Sequence, residues 1–361
     1  MGSMKNTQSL TPYLFADKPI FGFDIGRSTI RVMQTHPKGD LCTVDGYGET
    51  SFDPAAIQDG IVVNHEAIAE AANQLFTHKL IGSITTNRVA LSLPIARTFT
   101  RSIDLPKLTD KELQETIKTE VEQYIPAASD DLYTSYSITP KGKNTSTAFI
   151  VAMPKKIVDS HITLMRILGL EPVLIQTTSG AGATLFSRDS QSDLPSVLVD
   201  FGSESADITI YDRGPLVSGT VACGGEQITE LISGALAVSE REASIIKVKY
   251  GLALSKKQKQ IQTALEQPLN LLSREVRRNI RYYEERSKSK KTISQVVIMG
   301  GGANMPGLTE YMISELRIPV RSFDTTVYFN FGKLQPIAMS DRMSYVTAAG
   351  LSLSQPHEVF S

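Results

Sequence analysis

Two turns in this chain carry an aspartate directly after an apolar strand, and their residue types suit phosphate binding. The first turn is Asp24-Ile25-Gly26-Arg27-Ser28-Thr29, and the second is Asp200-Phe201-Gly202-Ser203-Glu204-Ser205. Such a turn can direct backbone N–H groups at a phosphate while its aspartate holds a metal-bound water. A single Asp-x-Gly sequence is usually an ordinary turn, because Asp and Gly are common turn residues. The repetition predicts two similar half-domains that share one phosphate group; the alternative is that each aspartate only caps its own turn.

A third motif is a glycine-rich turn that follows the apolar strand Val296–Met299. Its sequence is Gly300-Gly301-Gly302-Ala303-Asn304-Met305-Pro306. Because glycine lacks a Cβ atom, a flat ligand can lie against such a backbone. The order of two phosphate turns and a glycine-rich turn resembles the superfamily of actin, Hsp70 and hexokinase. The resemblance implies an α/β, actin-like ATPase fold of two RNase H-like half-domains, with ATP and Mg²⁺ as ligands.

The resemblance also assigns roles to the two turns. Two carboxylates would repel a triphosphate unless Mg²⁺ lay between them, and Mg²⁺ keeps most of its water ligands. Asp24 and Asp200 are therefore expected to hold the metal through water, and Asp200 is also a catalytic candidate. Arg27 either contacts phosphate or points to solvent. Ala206-Asp207 stands where related turns often carry Thr, which argues against efficient hydrolysis more than against binding.

Further candidates surround this predicted site. Gln176 ends an apolar strand before a helix of small residues, and it either orients an attacking water, as in related ATPases, or is a strand-end amide. Gly224 and Gly225 precede a helix whose first N–H groups can face ribose or phosphate. Ser239 and Glu242 form a capping box, so Glu242 either caps its helix or binds ribose. Lys247 follows on the same helix, which the resemblance places beside the purine.

The segment 94–170 has the pattern of an inserted strand–helix–strand–strand–helix module. Phe99–Pro106 alternates as a strand, and Thr109 with Glu112 predicts a capping box that begins a helix. This helix is expected to end at Tyr124-Ile125-Pro126. That corner is either helix termination with core packing or part of a groove for a partner.

Motifs within this segment narrow the resemblance. They are Ser92-Leu93-Pro94, Phe99-x-Arg101-x-Ile103-x-Leu105-Pro106, Leu113–Glu120 and Glu122-Gln123-Tyr124-Ile125-Pro126. Together they resemble the PilM family of type IV pilus proteins, which is related to the cell-division protein FtsA, and the similarity extends over about 20–352. It implies an inserted subdomain of the 1C type and ATP binding with at most slow ATPase activity.

The family resemblance also implies partners and a location. The expected partner is the N-terminal cytoplasmic tail of PilN, held between the first half-subdomain and the inserted module along Phe99, Arg101 and Tyr124. The chain would then link the inner-membrane complex to cytoplasmic pilus motor ATPases. It would be cytoplasmic, reaching the inner membrane only through a partner. An FtsA-like, ATP-dependent filament or homo-oligomer is the alternative, and a phosphotransferase of the same superfamily is a further one.

The predicted domain organisation follows from these motifs. Residues 1–19 are expected to be a tag and flexible tail, because Met1-Gly2-Ser3-Met4 is typical of a cloning remnant. Subdomain 1A is expected to comprise 20–93 and 171–195, with 335–353 returning to it. The inserted subdomain 1C is 94–170. The second lobe, subdomains 2A and 2B with the purine-binding elements, is 196–334.

Composition excludes several other classes of protein. Lys and Arg total 37 against 38 Asp and Glu, so bulk charge does not favour binding to nucleic acid or anionic lipid. Cys42 and Cys223 lie far apart without a CxxC partner, and five scattered histidines argue against a zinc site. No apolar run approaches the roughly 18 residues of a membrane span. No signal-peptide pattern is visible.

Overall fold

The computed structural model describes residues 18–39, 41–125, 127–140, 144–286 and 291–359. Most of the predicted tail and Pro126, the predicted helix stop, lie outside these ranges. The strands are, in chain order, β1 (Phe21–Ile25), β2 (Thr29–Lys38), β3 (Leu41–Ser51), β4 (Ile57–Gln58), β5 (Ile61–Val62), β6 (Ile81–Gly82), β7 (Arg88–Leu93), β8 (Phe99–Pro106), β9 (Leu132–Pro140), β10 (Thr145–Pro154), β11 (Glu171–Thr177), β12 (Ser196–Phe201), β13 (Ala206–Tyr211), β14 (Pro215–Val221), β15 (Gln295–Met299), β16 (Val320–Ser322) and β17 (Phe329–Asn330).

The helices alternate with these strands in both halves of the chain. They are α1 (His65–Gln74), α2 (Asp110–Tyr124), α3 (Lys155–Ile167), α4 (Thr178–Phe186), α5 (Gly225–Leu236), α6 (Glu240–Lys249), α7 (Gln258–Arg286), α8 (Leu308–Leu316), α9 (Val346–Ser352) and α10 (Pro356–Val359). A π-helical turn, Leu75–Lys79, continues α1. Short 3-10 helices include one over Gly301–Asn304. Among the described residues, no helix is both long enough and apolar enough to cross a membrane.

The two large sheets repeat one topology. The first has the strand order β11-β7-β1-β2-β3-β17, and the second has the order β16-β15-β12-β13-β14. In each, an antiparallel meander (β1-β2-β3 or β12-β13-β14) is extended by two parallel strands. The central strands β1 and β12 are largely buried runs, as expected for strands covered on both faces. Each sheet is therefore one half-domain of the predicted kind.

The inserted segment forms a separate three-stranded sheet with the order β8-β10-β9. Helix α2 packs on it through Ile117 and Val121, and its reciprocal capping box between Thr109 and Glu112 is present. Helix α3 extends beyond this sheet, because its buried Leu164 and Met165 belong to the core of the first half-domain. The inserted sheet therefore has its own core, and α3 joins it to the first half-domain.

Helices α4 and α9 connect the two half-domains by packing closely against each other. An added Cβ on Gly350 of α9 would lie 2.0 Å from the Ala181 carbonyl oxygen of α4. An added Cβ on Gly22 of β1 would lie 2.2 Å from the Ala348 carbonyl oxygen of α9. These glycines permit backbone-to-backbone contact that any other residue would obstruct. The small-residue composition of both helices thus sets how closely the half-domains approach.

The long helix α7 covers the second sheet. Its buried residues Leu272, Val276, Ile280 and Tyr283 lie on one face, as the spacing of apolar residues predicts. Several of its arginines make contacts at the surface: Arg277 with Glu315 at 3.0 Å and Arg278 with Glu275 at 2.6 Å. The locally basic character of this segment is therefore partly matched by neighbouring carboxylates.

Candidate functional site

The two motif aspartates occupy equivalent positions in the two sheets. Asp24 is the penultimate residue of β1, and Asp200 is the penultimate residue of β12. The turns after them have the same hydrogen bond, since Gly26 N–H donates to the Thr29 carbonyl at 2.8 Å and Gly202 N–H to the Ser205 carbonyl at 2.9 Å. Both turns therefore begin at the end of a central strand and share one backbone geometry.

Asp24 lies close enough to Asp200 for its charge to raise the pKa of the Asp200 carboxyl group. Burial raises the pKa of Asp24, while a 2.7 Å hydrogen bond from Ser92 Oγ and the charge of Arg31 lower it. Burial raises the pKa of Asp200 to about 7, with further increases from Asp207 and Asp24 and a decrease from Arg31. The structure therefore brings the two predicted metal-holding residues to one place.

Two further charged residues of this cluster, Arg31 and Asp207, were missed as site residues in the sequence. In the β1–β2 hairpin Arg31 pairs with Asp24, and in the β12–β13 hairpin Asp207 pairs with Asp200. The signal for them is the same seven-residue spacing from each aspartate, which across a tight hairpin places the second residue opposite the first. Arg31 also forms a 2.6 Å ion pair with Glu49 and hydrogen-bonds Thr29 Oγ1 at 3.2 Å.

Asp207 makes the site more acidic. Thr220 Oγ1 donates to its carboxylate at 2.8 Å and Thr178 Oγ1 at 3.5 Å, and burial raises its pKa to about 6. Three carboxylates with one arginine beside them leave an excess of negative charge that a cation would neutralise. The described residues hold no group of three or more His, Cys, Asp or Glu side chains arranged to bind a metal directly. The two turn aspartates have the chemistry to hold a Mg²⁺ ion that keeps most of its water ligands.

Gln176 lies at the same strand ends as Asp24. It pairs with Ser92 across β11 and β7, and Ser92 in turn donates to Asp24. Its Oε1 atom is buried and has no hydrogen-bond partner among the described residues. An acceptor left unpaired at a buried site is costly unless water or a ligand reaches it. Its predicted role in orienting a water molecule requires such an acceptor, and this role and the strand-end amide both stay predictions.

The glycine-rich turn reaches the second aspartate directly. An added Cβ on Gly300, where φ is +83°, would lie 2.1 Å from Asp200 Oδ1, and one on Gly302 would lie 2.8 Å from Phe201 Cβ. Ala303 is buried beneath the turn, and Asn304 Nδ2 donates to the Gly301 carbonyl at 3.3 Å. The turn then continues through Pro306. The backbone of the glycine-rich turn therefore lies directly beside the second phosphate turn.

The purine-side candidates meet around the start of α5. Lys247 Nζ donates to the Gly225 carbonyl and to Thr229 Oγ1, each at 2.8 Å, and burial lowers the pKa of this lysine. An added Cβ on Gly224 would lie 2.2 Å from the Ser203 carbonyl oxygen, so the second phosphate turn rests against the start of this helix. The glycine pair at the start of α5 is therefore in contact both with Lys247 and with the second phosphate turn.

Glu242 serves as a helix cap in the structure. Its Oε2 atom accepts from the Ser239 backbone N–H at 3.1 Å and from Ser239 Oγ at 2.9 Å. These bonds lower the pKa of the carboxyl group. The cap uses Oε2, so the other predicted role, a contact with ribose, would require Oε1 and stays a prediction.

Arg27 points across the site rather than to bulk solvent. Its Nε atom lies 3.0 Å from Glu204 Oε1 of the second phosphate turn, and its Nη1 atom donates to the Ile57 carbonyl. Both turns of the site are thereby in direct side-chain contact. The structure therefore differs from the predicted alternative in which the Arg27 side chain points to solvent.

The three residues predicted for a partner groove fall into two places. Phe99 lines a cavity of about 380 Å³ between the first half-domain and the inserted module. Arg101 lies over the Tyr124 ring at 3.4 Å from its centroid and forms a 3.0 Å ion pair with Glu120. Arg101 and Tyr124 are thus engaged with each other and with α2, and they do not line that cavity. Its lining residues are Asp59, Ile61, Ala96, Arg97, Thr98, Phe99, Pro154, Lys156 and Ile157.

Comparison with known proteins supports the fold and the family. Residues 22–355 match the sequence family described as "Type IV pilus assembly protein PilM". A solved "PilM-PilN type IV pilus biogenesis complex" contains a chain with a TM-score of 0.80 and 19% identity, over 93% of this chain and 98% of that one.

More distant structures share the fold. The ethanolamine utilization protein EutJ from Carboxydothermus hydrogenoformans has a TM-score of 0.54 at 13% identity, over 94% of this chain and 91% of that one. MreB 5 of Spiroplasma citri bound to AMPPNP has a TM-score of 0.52 at 13% identity, over 92% and 95%. The predicted α/β, actin-like ATPase fold is confirmed.

Proposed function

This chain belongs to the type IV pilus assembly protein PilM family, and we propose that it is an actin-like adaptor whose conformation depends on ATP and Mg²⁺. The observation that carries the proposal is that the two phosphate turns meet, since Arg27 Nε lies 3.0 Å from Glu204 Oε1 and the charges of Asp24 and Arg31 act on the Asp200 carboxyl. The carboxylates suit metal-bound water, and the guanidinium suits a phosphate oxygen. The glycine-rich turn beside Asp200 suits the rest of the nucleotide.

The proposed role of nucleotide is conformational, with slow turnover. Mg²⁺ would supply charge neutralisation between the carboxylates and the polyphosphate. Gln176 would orient water through its buried Oε1 atom, and Ser92 would hold Asp24 in place. Asp207 adds a third carboxylate beside Asp200, and with nucleotide bound its charge would disfavour the build-up of negative charge during hydrolysis. These residues would therefore contribute more to the affinity for nucleotide than to the rate of ATP hydrolysis.

We propose that the N-terminal cytoplasmic tail of PilN binds in the cavity that Phe99 lines. This cavity has an apolar lining from Ile61, Phe99 and Ile157 and a charged rim that includes Lys156 and the 2.8 Å ion pair between Arg97 and Asp59. A short peptide could bury an apolar side chain there while its polar groups meet the rim. This proposal is supported by the solved "PilM-PilN type IV pilus biogenesis complex", which contains a chain similar to this one.

Closure of the nucleotide cleft would change this cavity. The inserted module contacts the second half-domain through Thr100 Oγ1, which donates to the Ser218 carbonyl of β14 at 3.1 Å, and through Ser102, which donates to the Leu216 carbonyl. Movement of β14 on nucleotide binding would therefore shift β8, whose first residue is Phe99. Through PilN the protein would lie at the cytoplasmic face of the inner membrane and link that complex to the pilus motors.

Calorimetric titration with a synthetic PilN tail tests this proposal. We expect saturable binding to the full chain, with an affinity that differs between the nucleotide-free and the Mg²⁺–ATP states. Phe99→Ala should abolish it, whereas Tyr136→Ala, an exposed aromatic on β9, should leave it unchanged. Absence of binding in both nucleotide states would remove the adaptor function.

A further inference from the structure

The ion pair between Arg27 and Glu204 joins the two phosphate turns across the cleft. Arg27 belongs to the turn after β1, and Glu204 to the turn after β12, so the partners come from different half-domains. Their atoms Nε and Oε1 are 3.0 Å apart. Any movement that separates the half-domains at this point has to break the contact.

Both partners are fixed to the backbone of their own half-domain. Arg27 Nη1 donates to the carbonyl of Ile57 in β4. The Glu204 turn is held to the start of α5, because Gly225 N–H donates to the Gly202 carbonyl at 3.0 Å and Glu226 N–H to the Ser203 carbonyl at 2.8 Å. The pair therefore links two turns that are each held to the rest of their own half-domain.

The ion pair leaves Arg27 incompletely satisfied. Its Nε atom is buried, yet the approach of Glu204 Oε1 is not aligned as a hydrogen bond, so this N–H has no hydrogen-bond acceptor in the described residues. The Glu204 side chain is 60% exposed, which allows water to compete for it. A polyphosphate carries more charge and more acceptor oxygens than one carboxylate, and arginine binds such groups well.

We propose that Arg27 and Glu204 form an autoinhibitory latch, in which Arg27 exchanges Glu204 for a phosphate oxygen when nucleotide enters the cleft. The inference rests on the proposed nucleotide binding. In the nucleotide-free protein the latch holds the two phosphate turns together. Because the ligand must compete with Glu204, its apparent affinity is reduced by the fraction of molecules in which the pair is formed. The change of partner at Arg27 then breaks the contact between the half-domains when nucleotide is bound.

The first test measures the latch without nucleotide. Spin labels are placed on Asn73 of α1 and on Leu254 of the second half-domain, both exposed, and the distance distribution between them is measured in the full chain. Glu204→Gln and Arg27→Gln should each broaden the distribution toward longer distances, and the double variant should match the single ones. Distributions identical to that of the unsubstituted chain would overturn the latch.

The second test measures competition. Affinity for Mg²⁺ with a non-hydrolysable ATP analogue is determined by calorimetry, and Glu204→Gln should strengthen it roughly two- to fivefold, the range expected for an exposed ion pair. In the Arg27→Gln background the same substitution should have no effect. Glu230→Gln, an equal charge change at an exposed position one turn further along α5, is the matched control and should leave the affinity unchanged.

The outcomes separate the two proposals. If the unsubstituted chain fails to bind the analogue, nucleotide binding itself is wrong, and the competition fails with it. If the chain binds but Glu204→Gln has the same effect with and without Arg27, simple charge repulsion accounts for the data and the latch is wrong. Only an effect that requires Arg27 supports the exchange.

Discussion

Asp24 and Asp200 are the penultimate residues of two equivalent strands, and the charge of Asp24 helps raise the pKa of Asp200. Residues that lie far apart in the sequence thus meet because the chain repeats one sheet topology twice. Two carboxylates held together in this way are unfavourable without a compensating charge. The proposed nucleotide site follows from that electrostatic imbalance, and the predictions below test its parts.

Stability should depend on pH through Asp200. Its pKa is about 7 in the folded protein, whereas an aspartate in an unfolded chain titrates at about 3.9. The folded state binds the proton more tightly, so this group lowers the free energy of unfolding as the pH rises from about 4 to about 7. Asp200→Asn should stabilise the nucleotide-free protein at about pH 8 by about 1–3 kcal/mol.

The measurement is urea denaturation of both proteins between about pH 5 and pH 8. Over this range Asp200 loses its proton in the folded protein, whereas in the unfolded chain it is already largely ionised. The advantage of Asp200→Asn should shrink toward the acidic end. An advantage that stays constant over this range would show that Asp200 titrates normally.

Gln176 should affect turnover and not binding. Its Oε1 atom has no hydrogen-bond partner in the described part of the chain and is suited to hold the attacking water, so Gln176→Ala should slow ATP hydrolysis roughly tenfold. The affinity for a non-hydrolysable analogue should be unchanged. Gln114→Ala, an exposed glutamine on α2, is the control. Equal hydrolysis rates for all three proteins would leave Gln176 as a strand-end amide only.

Gly22 should tolerate no side chain. A Cβ atom there would meet the Ala348 carbonyl oxygen at 2.2 Å and Leu351 Cβ at 2.9 Å, so Gly22→Ala should lower the free energy of unfolding by about 1–3 kcal/mol. Gly234→Ala on the exposed face of α5 meets no atom within 4 Å and should be stabilising by about 0.5–1 kcal/mol. Denaturant unfolding compares the two, and similar values would contradict the close packing of α9 on β1.

Glu242 should behave as a helix cap. Glu242→Ala removes both bonds to Ser239 and should lower the Tm, as should Ser239→Ala. The ratio of affinities for ATP and 2′-deoxy-ATP should stay the same in both variants. A ratio that changes only in Glu242→Ala would show that this carboxylate binds ribose as well.

Local patterns in the sequence predict much of the fold. The alternation of apolar residues predicts both hairpins, and the spacing of Thr109 and Glu112 predicts the start of α2 because a capping box depends only on neighbours. Contacts between distant segments leave weaker signals. The pairing of Arg27 with Glu204 depends on how the half-domains face each other, and the packing of α3 on the first core depends on where the inserted module ends.

The candidate site shows the same limit. Asp24, Asp200 and the glycine-rich turn are visible because each is a local motif. In the sequence, Asp207 differs from the Thr that is common in related turns. The hairpin register places it opposite Asp200. Its importance depends on burial and on Thr178 and Thr220, which come from other elements. Register across a hairpin can be read from a sequence, but the environment of the side chain cannot.

Calorimetric titration of the full chain with ATP, with and without Mg²⁺, tests the central claim most directly. We expect one saturable site that requires Mg²⁺, and the double variant Asp24→Asn with Asp200→Asn should weaken binding at least roughly tenfold. Asp130→Asn, an aspartate of the inserted module away from the cleft, should bind as the unsubstituted chain does. Absence of saturable binding, or unchanged affinity in the double variant, would contradict the account.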